Sequence, residues 1–236
     1  MIYAEILAGG KGTRLGNKDL PKQFLMLGSK PIIIHTIEQF VINPKIDRIV
    51  VCTPKESINY TNELINKYLP GVSIDVVAGG KTRDESIMNG CKHIEKVYGL
   101  SCDDYVITHD AVRPFVNQRI INDNIKFVKK GFAVDTAIPA TDTIIELKDN
   151  DLIKSVPDRK YLYYGQTPQS FNIKELISLY DSLNEKEREI LTDACKIYTL
   201  KNKNVKVVLG ETFNIKITTS FDLEMAEAIL KVRKND

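Results

Sequence analysis

Five apolar runs of strand length recur along this chain of 236 residues, and a segment with helical spacing separates each from the next. The runs are Ile2 to Leu7, Arg48 to Thr53, Ser73 to Ala78, Tyr105 to His109 and Ala133 to Pro139. Between them, Ile32 to Phe40, Ser57 to Tyr68, Arg83 to Tyr98 and Gln118 to Lys130 read as helices, with Gly131 as the last one's cap. This β–α alternation predicts an α/β fold, a mostly parallel sheet with helices on both faces. Connections in such a sheet are right-handed, and ligands bind at the carboxyl ends of the strands. Segments that directly follow strands should therefore meet on one edge.

Three such segments carry chemistry. After the first strand comes Leu7-Ala8-Gly9-Gly10-Lys11-Gly12-Thr13-Arg14, followed by Pro21-Lys22-Gln23-Phe24. Glycine has no Cβ and lets the backbone approach a ligand, and backbone N–H groups turned into one concavity bind anions. Arg14 and Lys22 add full positive charge. The spacing is neither a P-loop nor a dinucleotide fingerprint, since residue 15 is Leu15 where a third glycine would stand. An ordinary strand-to-helix turn would also account for the loop alone. The second segment, Gly79-Gly80-Lys81-Thr82-Arg83-Asp84-Glu85-Ser86, is another glycine turn opening a helix. Its backbone and the Ser86 hydroxyl suit a planar base, while Thr82 or Asp84 would serve equally as helix caps. The third, His109-Asp110-Ala111-Val112-Arg113-Pro114, puts a carboxylate at a strand tip. Asp110 there can hold Mg²⁺ whose other ligands are phosphate oxygens and water, or it can pair with Arg113. His109 points to the opposite face and reads as structural.

From about residue 142 to 164 the alternation breaks. Thr143 to Leu147 and Leu152 to Val156 flank Lys148-Asp149-Asn150-Asp151, a turn-rich tetrad, and predict a β-hairpin arm. An isolated hairpin is marginal in water, so it packs on its own domain or on a second copy of the chain. Further on, Lys174 to Leu183, Glu185 to Leu191 and Phe221 to Lys231 read as helices and Val205 to Leu209 as a late strand. No linker divides the chain, so residues 1–236 are read as a single domain. A net charge of +2, from 33 basic and 31 acidic residues, supplies no basic face for nucleic acid. No apolar run approaches the roughly 18 residues that cross a bilayer, and no signal peptide opens the chain. The four cysteines lack metal-ligand spacing. A reducing cytoplasm is the expectation.

Taken together, Leu7-Ala8-Gly9-Gly10-x-Gly12-x-Arg14, Pro21-Lys22-Gln23, Gly79-Gly80-x-x-Arg83-x-x-Ser86, Asp110-Ala111-Val112-Arg113-Pro114, Gln166-Thr167-Pro168-Gln169 and Asn214-Ile215-Lys216-Ile217-Thr218 occur in one order across nearly the whole chain. This set resembles the cytidylyltransferases that make CDP-alditols, within the class of nucleotide-diphospho-sugar transferases. The resemblance implies a Rossmann-like fold with a protruding β-arm that makes a homodimer. It also implies transfer of CMP from CTP to an alditol phosphate with Mg²⁺, held by Asp110. Two branches are close, one acting on 2-C-methyl-D-erythritol 4-phosphate in isoprenoid synthesis and one on ribitol 5-phosphate for teichoic acids and capsules. The opening Met1-Ile2-Tyr3-Ala4, the run Pro31 to Ile37, the stretch Tyr164 to Phe171 and the segment Glu189 to Lys196 look more like the ribitol branch.

By the same resemblance, Arg14, Lys22, Arg159 and Lys216 are the catalytic cations, with Arg159 supplied by the partner's arm. Leu7, Ala8, Gly9, Gly10, Gly12, Gly79, Gly80, Lys81, Thr82, Arg83, Asp84, Glu85, Ser86, Asp110 and Ala111 hold the nucleotide. Arg113, Thr143, Thr167 and Thr192 line the alditol pocket. A ribulose-5-phosphate reductase is the implied partner that supplies the acceptor. Lys216 and Thr218 stand where many sugar nucleotidyltransferases carry a second acidic ligand, which argues against a two-carboxylate metal site. The reading from another class is a non-catalytic nucleotide-binding module. The presence of all four cations speaks against it.

Overall fold

The structure is a computed structural model that describes residues 1–10, 20–149 and 151–233. Its main sheet has seven strands: β1 (Ile2–Leu7), β4 (Arg48–Thr53), β5 (Ile74–Ala78), β6 (Tyr105–Asp110), β7 (Ala133–Pro139), β10 (Tyr163–Asn172) and β11 (Val205–Leu209). Their order is β11-β7-β10-β6-β1-β4-β5. β1 lies between β4 and β6 and is parallel to both. Side chains alternate across a strand, so a strand covered on both faces is apolar throughout. Ile2, Ala4 and Ile6 of β1 pack in one core with α1 (Ile32–Val41), α2 (Ile58–Tyr68) and α4 (Gln118–Val128). Tyr3 and Leu7 pack in the other core with α3 (Arg83–Tyr98), α5 (Ile173–Asp181) and α7 (Cys195–Leu200). The C-terminal α8 (Ser220–Arg233) covers the short strand β2 (Met26–Leu27) and the start of α1.

Most expected elements are present within a residue or two. The main departure is β10. The alternation implied a mostly parallel sheet, and it gave no strand at β10, which is antiparallel and inserted between β6 and β7. Its Gly165, Pro168 and polar side chains do not read as a buried strand. They are accommodated because the ladder to β7 shifts register between Gln166 and Ser170, where proline's missing donor costs nothing. The β2–β3 hairpin (β3, Lys30–Pro31) and α7 were also not anticipated, and the helix expected at Glu185 to Leu191 is shorter, Glu185–Glu189 (α6). The arm forms a separate two-stranded sheet of β8 (Glu146–Leu147) and β9 (Ile153–Ser155).

An acidic side chain sits at the centre of this core. Glu5 is fully buried in β1, and its Oε1 accepts a hydrogen bond from the Cys52 thiol at 3.1 Å. A Cβ at Gly90 would overlap the Glu5 carboxyl, so glycine in the middle of α3 makes the room it needs. Burial raises this carboxyl to about 8, against the lowering effects of the Cys52 hydrogen bond and Arg83. The folded state therefore holds a proton there that the unfolded chain releases near its ordinary value of 4.5. The associated stability is present at low pH and is lost as pH rises through 8. Thermal unfolding of Glu5→Gln beside the parent chain, from pH 5 to 8.5, should show the variant gaining relative stability with pH. A constant difference would contradict the buried, protonated state.

Candidate active site

The carboxyl ends of β1 and β6 and the turn that follows β5 converge on a cavity of about 230 Å³. Ala8 continues the β1–β4 ladder, its N–H donating to the Cys52 carbonyl at 2.7 Å. The next two residues, Gly9 and Gly10, are exposed at the rim. The buried Gln23 amide donates to the Ala8 carbonyl at 2.6 Å and ties this turn to the 3₁₀ turn Lys22–Phe24. That turn brings the Lys22 Cε within 3.4 Å of where a Cβ on Gly10 would stand.

The second glycine turn is held just as tightly. Gly79 N–H donates to the Thr53 carbonyl at 2.8 Å, and Gly80 N–H donates to the Ser86 Oγ at 3.0 Å. Ser86 in turn donates to the Thr82 carbonyl at 2.9 Å. The Thr82 hydroxyl caps α3 by accepting from Glu85 N–H at 3.1 Å, and the Glu85 carboxylate accepts from Lys81 N–H at 2.6 Å. So the capping reading holds for Thr82 and not for Asp84. A Cβ on Gly80 would meet the Glu85 backbone at 2.8 Å, which leaves glycine as the residue that fits.

Asp110 ends β6 and is buried with 6 % exposure. Its carboxylate meets Arg83 Nε at 3.5 Å, Arg113 Nε at 3.4 Å and Lys216 Nζ at 3.0 Å. Burial would raise this carboxyl, but Arg83, Lys216 and Arg113 outweigh it and hold it well below the usual carboxylate range. Its backbone N–H donates to the Thr167 hydroxyl at 3.1 Å, which also bonds His109 Nδ1 at 2.9 Å. His109 Nε2 meets the Arg113 carbonyl at 3.0 Å. Burial lowers His109 to about 4, against the raising effect of that carbonyl, so the ring is neutral. His109 is structural, as its place one residue before the strand tip implied.

Among the described residues, Lys22, Lys81, Arg83 and Lys216 line the cavity together with one carboxylate, Asp110. Among these residues, Lys81, Arg83 and Lys216 set three positive charges against this carboxylate, and that surplus suits a polyanion such as a nucleoside triphosphate. Leu7, Ala8, Gly9, Gly10, Gly80, Thr82, Ser86 and Ala111 complete the wall among the expected nucleotide-binding residues. Gly79, Asp84 and Glu85 do not line it. Arg113 and Thr167 are buried and committed to internal partners: Arg113 Nη1 donates to the Asn214 carbonyl at 2.8 Å. Thr143, Arg159 and Thr192 are exposed and off the wall of their own chain, and Arg159 donates to the Thr141 carbonyl at 2.6 Å. Gly12 and Arg14 lie outside the described residues. Gln23 and Asn214 have positioning roles that only the fold reveals. Asn214 Nδ2 donates to the Thr167 carbonyl at 2.9 Å, tying the Lys216 segment to β10.

The family model for 2-C-methyl-D-erythritol 4-phosphate cytidylyltransferase (IspD) matches residues 2–232. The chain belongs to the IspD family. It is therefore a cytidylyltransferase. A ribitol-5-phosphate cytidylyltransferase of Lactiplantibacillus plantarum is 50 % identical over 233 residues, 99 % of this chain and 100 % of that one. Among solved structures, the 4-diphosphocytidyl-2C-methyl-D-erythritol synthase of Anaerococcus prevotii superposes with a TM-score of 0.80 at 29 % identity, covering 98 % of this chain and 96 % of that one. The 2-C-methyl-D-erythritol 4-phosphate cytidylyltransferase of Francisella tularensis gives 0.79 at 30 %, with 96 % and 98 % covered.

Among the described residues no cluster of three or more His, Cys, Asp or Glu could hold a metal by itself. The IspD-type wall offers one carboxylate, Asp110. That donor set fits Mg²⁺ carried on substrate phosphates, since this ion takes one or two carboxylates and keeps oxygen ligands from phosphate and water. Among the same residues no helix is long and apolar enough to cross a membrane.

Proposed function

We propose that this IspD-family chain transfers CMP from CTP to ribitol 5-phosphate, giving CDP-ribitol and pyrophosphate. The acceptor assignment rests on the 50 % identity, over both full lengths, to a relative that carries that activity in its name. The structures named for the methylerythritol acceptor stand at 29 and 30 %. CDP-ribitol is a donor for teichoic acid or capsule synthesis. The class of enzyme that must supply the acceptor is a reductase acting on a ketose phosphate.

In this reading the two glycine turns hold the CTP base and triphosphate. An acceptor-phosphate oxygen attacks the α-phosphorus, the bond to the β-phosphate oxygen breaks, and pyrophosphate leaves with the electron pair. Asp110 would hold Mg²⁺ together with the substrate phosphates, and the ion would supply charge neutralisation there. Lys22 and Arg14 neutralise the charge that grows on the α-phosphate and leaving group, a role worth most in a site sheltered from water. Lys216, already anchored on Asp110 at 3.0 Å, holds the acceptor phosphate beside the α-phosphorus.

The arm completes the site from a second copy. Ile145, Leu147, Leu152, Ile153, Val156 and Tyr161 are all exposed on and beside it, and this concentration of apolar surface supports the reading. Docking of this arm on a partner would carry Arg159 into the partner's cavity.

Pyrophosphate release from CTP and Mg²⁺ should depend on ribitol 5-phosphate in a panel of alditol phosphates. Turnover with methylerythritol phosphate and none with ribitol 5-phosphate would overturn the acceptor assignment. Lys22→Ala and Arg159→Ala should each lower kcat at least ~100-fold, the scale of a lost transition-state charge contact. Mixing the two inactive proteins should restore roughly a quarter of normal activity, because about half the dimers are mixed and each has one intact site. No recovery on mixing would place Arg159 in its own chain's site or outside catalysis.

A further inference from the structure

Arg83 faces two environments. Its Nε meets Asp110 at the cavity, while its Nη1 and Nη2 are buried without a hydrogen-bond partner. The guanidinium acts electrostatically on Asp84 and Asp135. Asp135 lies on β7, Gln169 on β10 and Thr108 on β6. The register aligns Gln169 with Thr108, and their side chains share a sheet face with Val106, Ala133 and Phe171, which pack in the α3-side core. Asp110 stands one step further along the same face of β6.

This row is short of hydrogen bonds. Gln169 is 2 % exposed, and its Nε2 donates to Asp135 Oδ1 at 3.0 Å and to Cys195 Sγ at 3.3 Å, but its Oε1 has no partner. Asp84 Oδ1 is likewise buried and unpartnered. Asp135 is half-buried, and its Oδ1 accepts from Gln169 Nε2 and from Thr136 N–H. Burial, with Asp193 adding to it, raises Asp135 to about 6 in spite of the Gln169 bond. Buried polar groups left unpaired are costly, and native interiors rarely hold several together.

The missing partners define a chemistry. Gln169 Oε1 and Asp84 Oδ1 need donors, whereas the Arg83 Nη groups need an acceptor. A hydroxyl is both donor and acceptor, so a chain of hydroxyls satisfies the row. A phosphate would be repelled by Asp84 and Asp135, and a methyl group would leave the polar atoms unpaired. Resting on the acceptor reading above, we propose that Asp135, Gln169 and Arg83 bind the hydroxyls of the alditol chain and set acceptor specificity, next to the Asp110–Lys216 pair that serves its phosphate.

Steady-state kinetics of the full chain with CTP, Mg²⁺ and ribitol 5-phosphate tests this in the near-isosteric Asp135→Asn and in Gln169→Leu. The acceptor KM should rise about tenfold in each, the scale of one hydrogen bond to a charged or buried group, with the CTP KM within about twofold of the parent. The preference for ribitol 5-phosphate over the shorter glycerol 3-phosphate should shrink by a similar factor, which a merely structural defect would not produce. An unchanged acceptor KM in Asp135→Asn, or parallel losses for CTP and acceptor, would overturn the proposal while leaving the acceptor reading intact. A parent chain that does not turn over ribitol 5-phosphate would instead overturn that reading.

Discussion

The Asp110 carboxylate, buried at the tip of β6, is the interaction on which the site depends. A lone buried carboxylate would be strongly penalised by desolvation and would take up a proton. Arg83, Arg113 and Lys216 prevent this, each from a different element: the start of α3, the loop after β6 and the segment before α8. One negative charge thus gathers three cations that would otherwise repel one another. Because three cations surround one carboxylate, the assembly keeps a positive charge that suits an anionic ligand. The same carboxylate stands where the nucleotide cavity and the Asp135–Gln169 row adjoin, and Arg83 belongs to both.

What made part of this legible in the sequence is locality. The parallel strands and most helices announce themselves through periodicity, and the glycine turns sit beside the strands that position them. Gly80, Thr82, Glu85 and Ser86 bond within six residues, so a local reading reaches their geometry. Asp110 was visible as a strand-end acid and Arg113 as its neighbour, but Arg83 and Lys216 were not visible as its partners. Lys216 lies far along the chain, and Arg113 reaches the Asn214 carbonyl across 101 residues. Thr167 illustrates the limit. Its hydroxyl was read as a substrate contact, yet it is buried against His109 and the Asp110 backbone, 57 residues away. Only the insertion of β10 as an antiparallel strand brings it there, and nothing in Gly165-Gln166-Thr167-Pro168 advertises that strand.

The resemblance to CDP-alditol-forming enzymes identified the family because its motifs are joint and ordered, whereas each piece alone has a bland structural use. Thr82 does cap a helix, and Arg113 does pair with Asp110. These structural uses and the chemistry coexist. The cap fixes the turn that borders the cavity, and the ion pair fixes the carboxylate to which we assign the phosphate-bound metal.

The central claim is that Asp110 organises the nucleotide and acceptor halves together. Asp110→Asn keeps the shape and removes the charge, so Arg83 and Lys216 lose their common anchor. Initial rates for this variant, with CTP and ribitol 5-phosphate each varied in turn, measure both halves in one experiment. Our account predicts that kcat/KM falls at least ~30-fold for both substrates, the scale of a lost charged hydrogen bond in a sheltered site. A fall for one substrate with the other unchanged would contradict it.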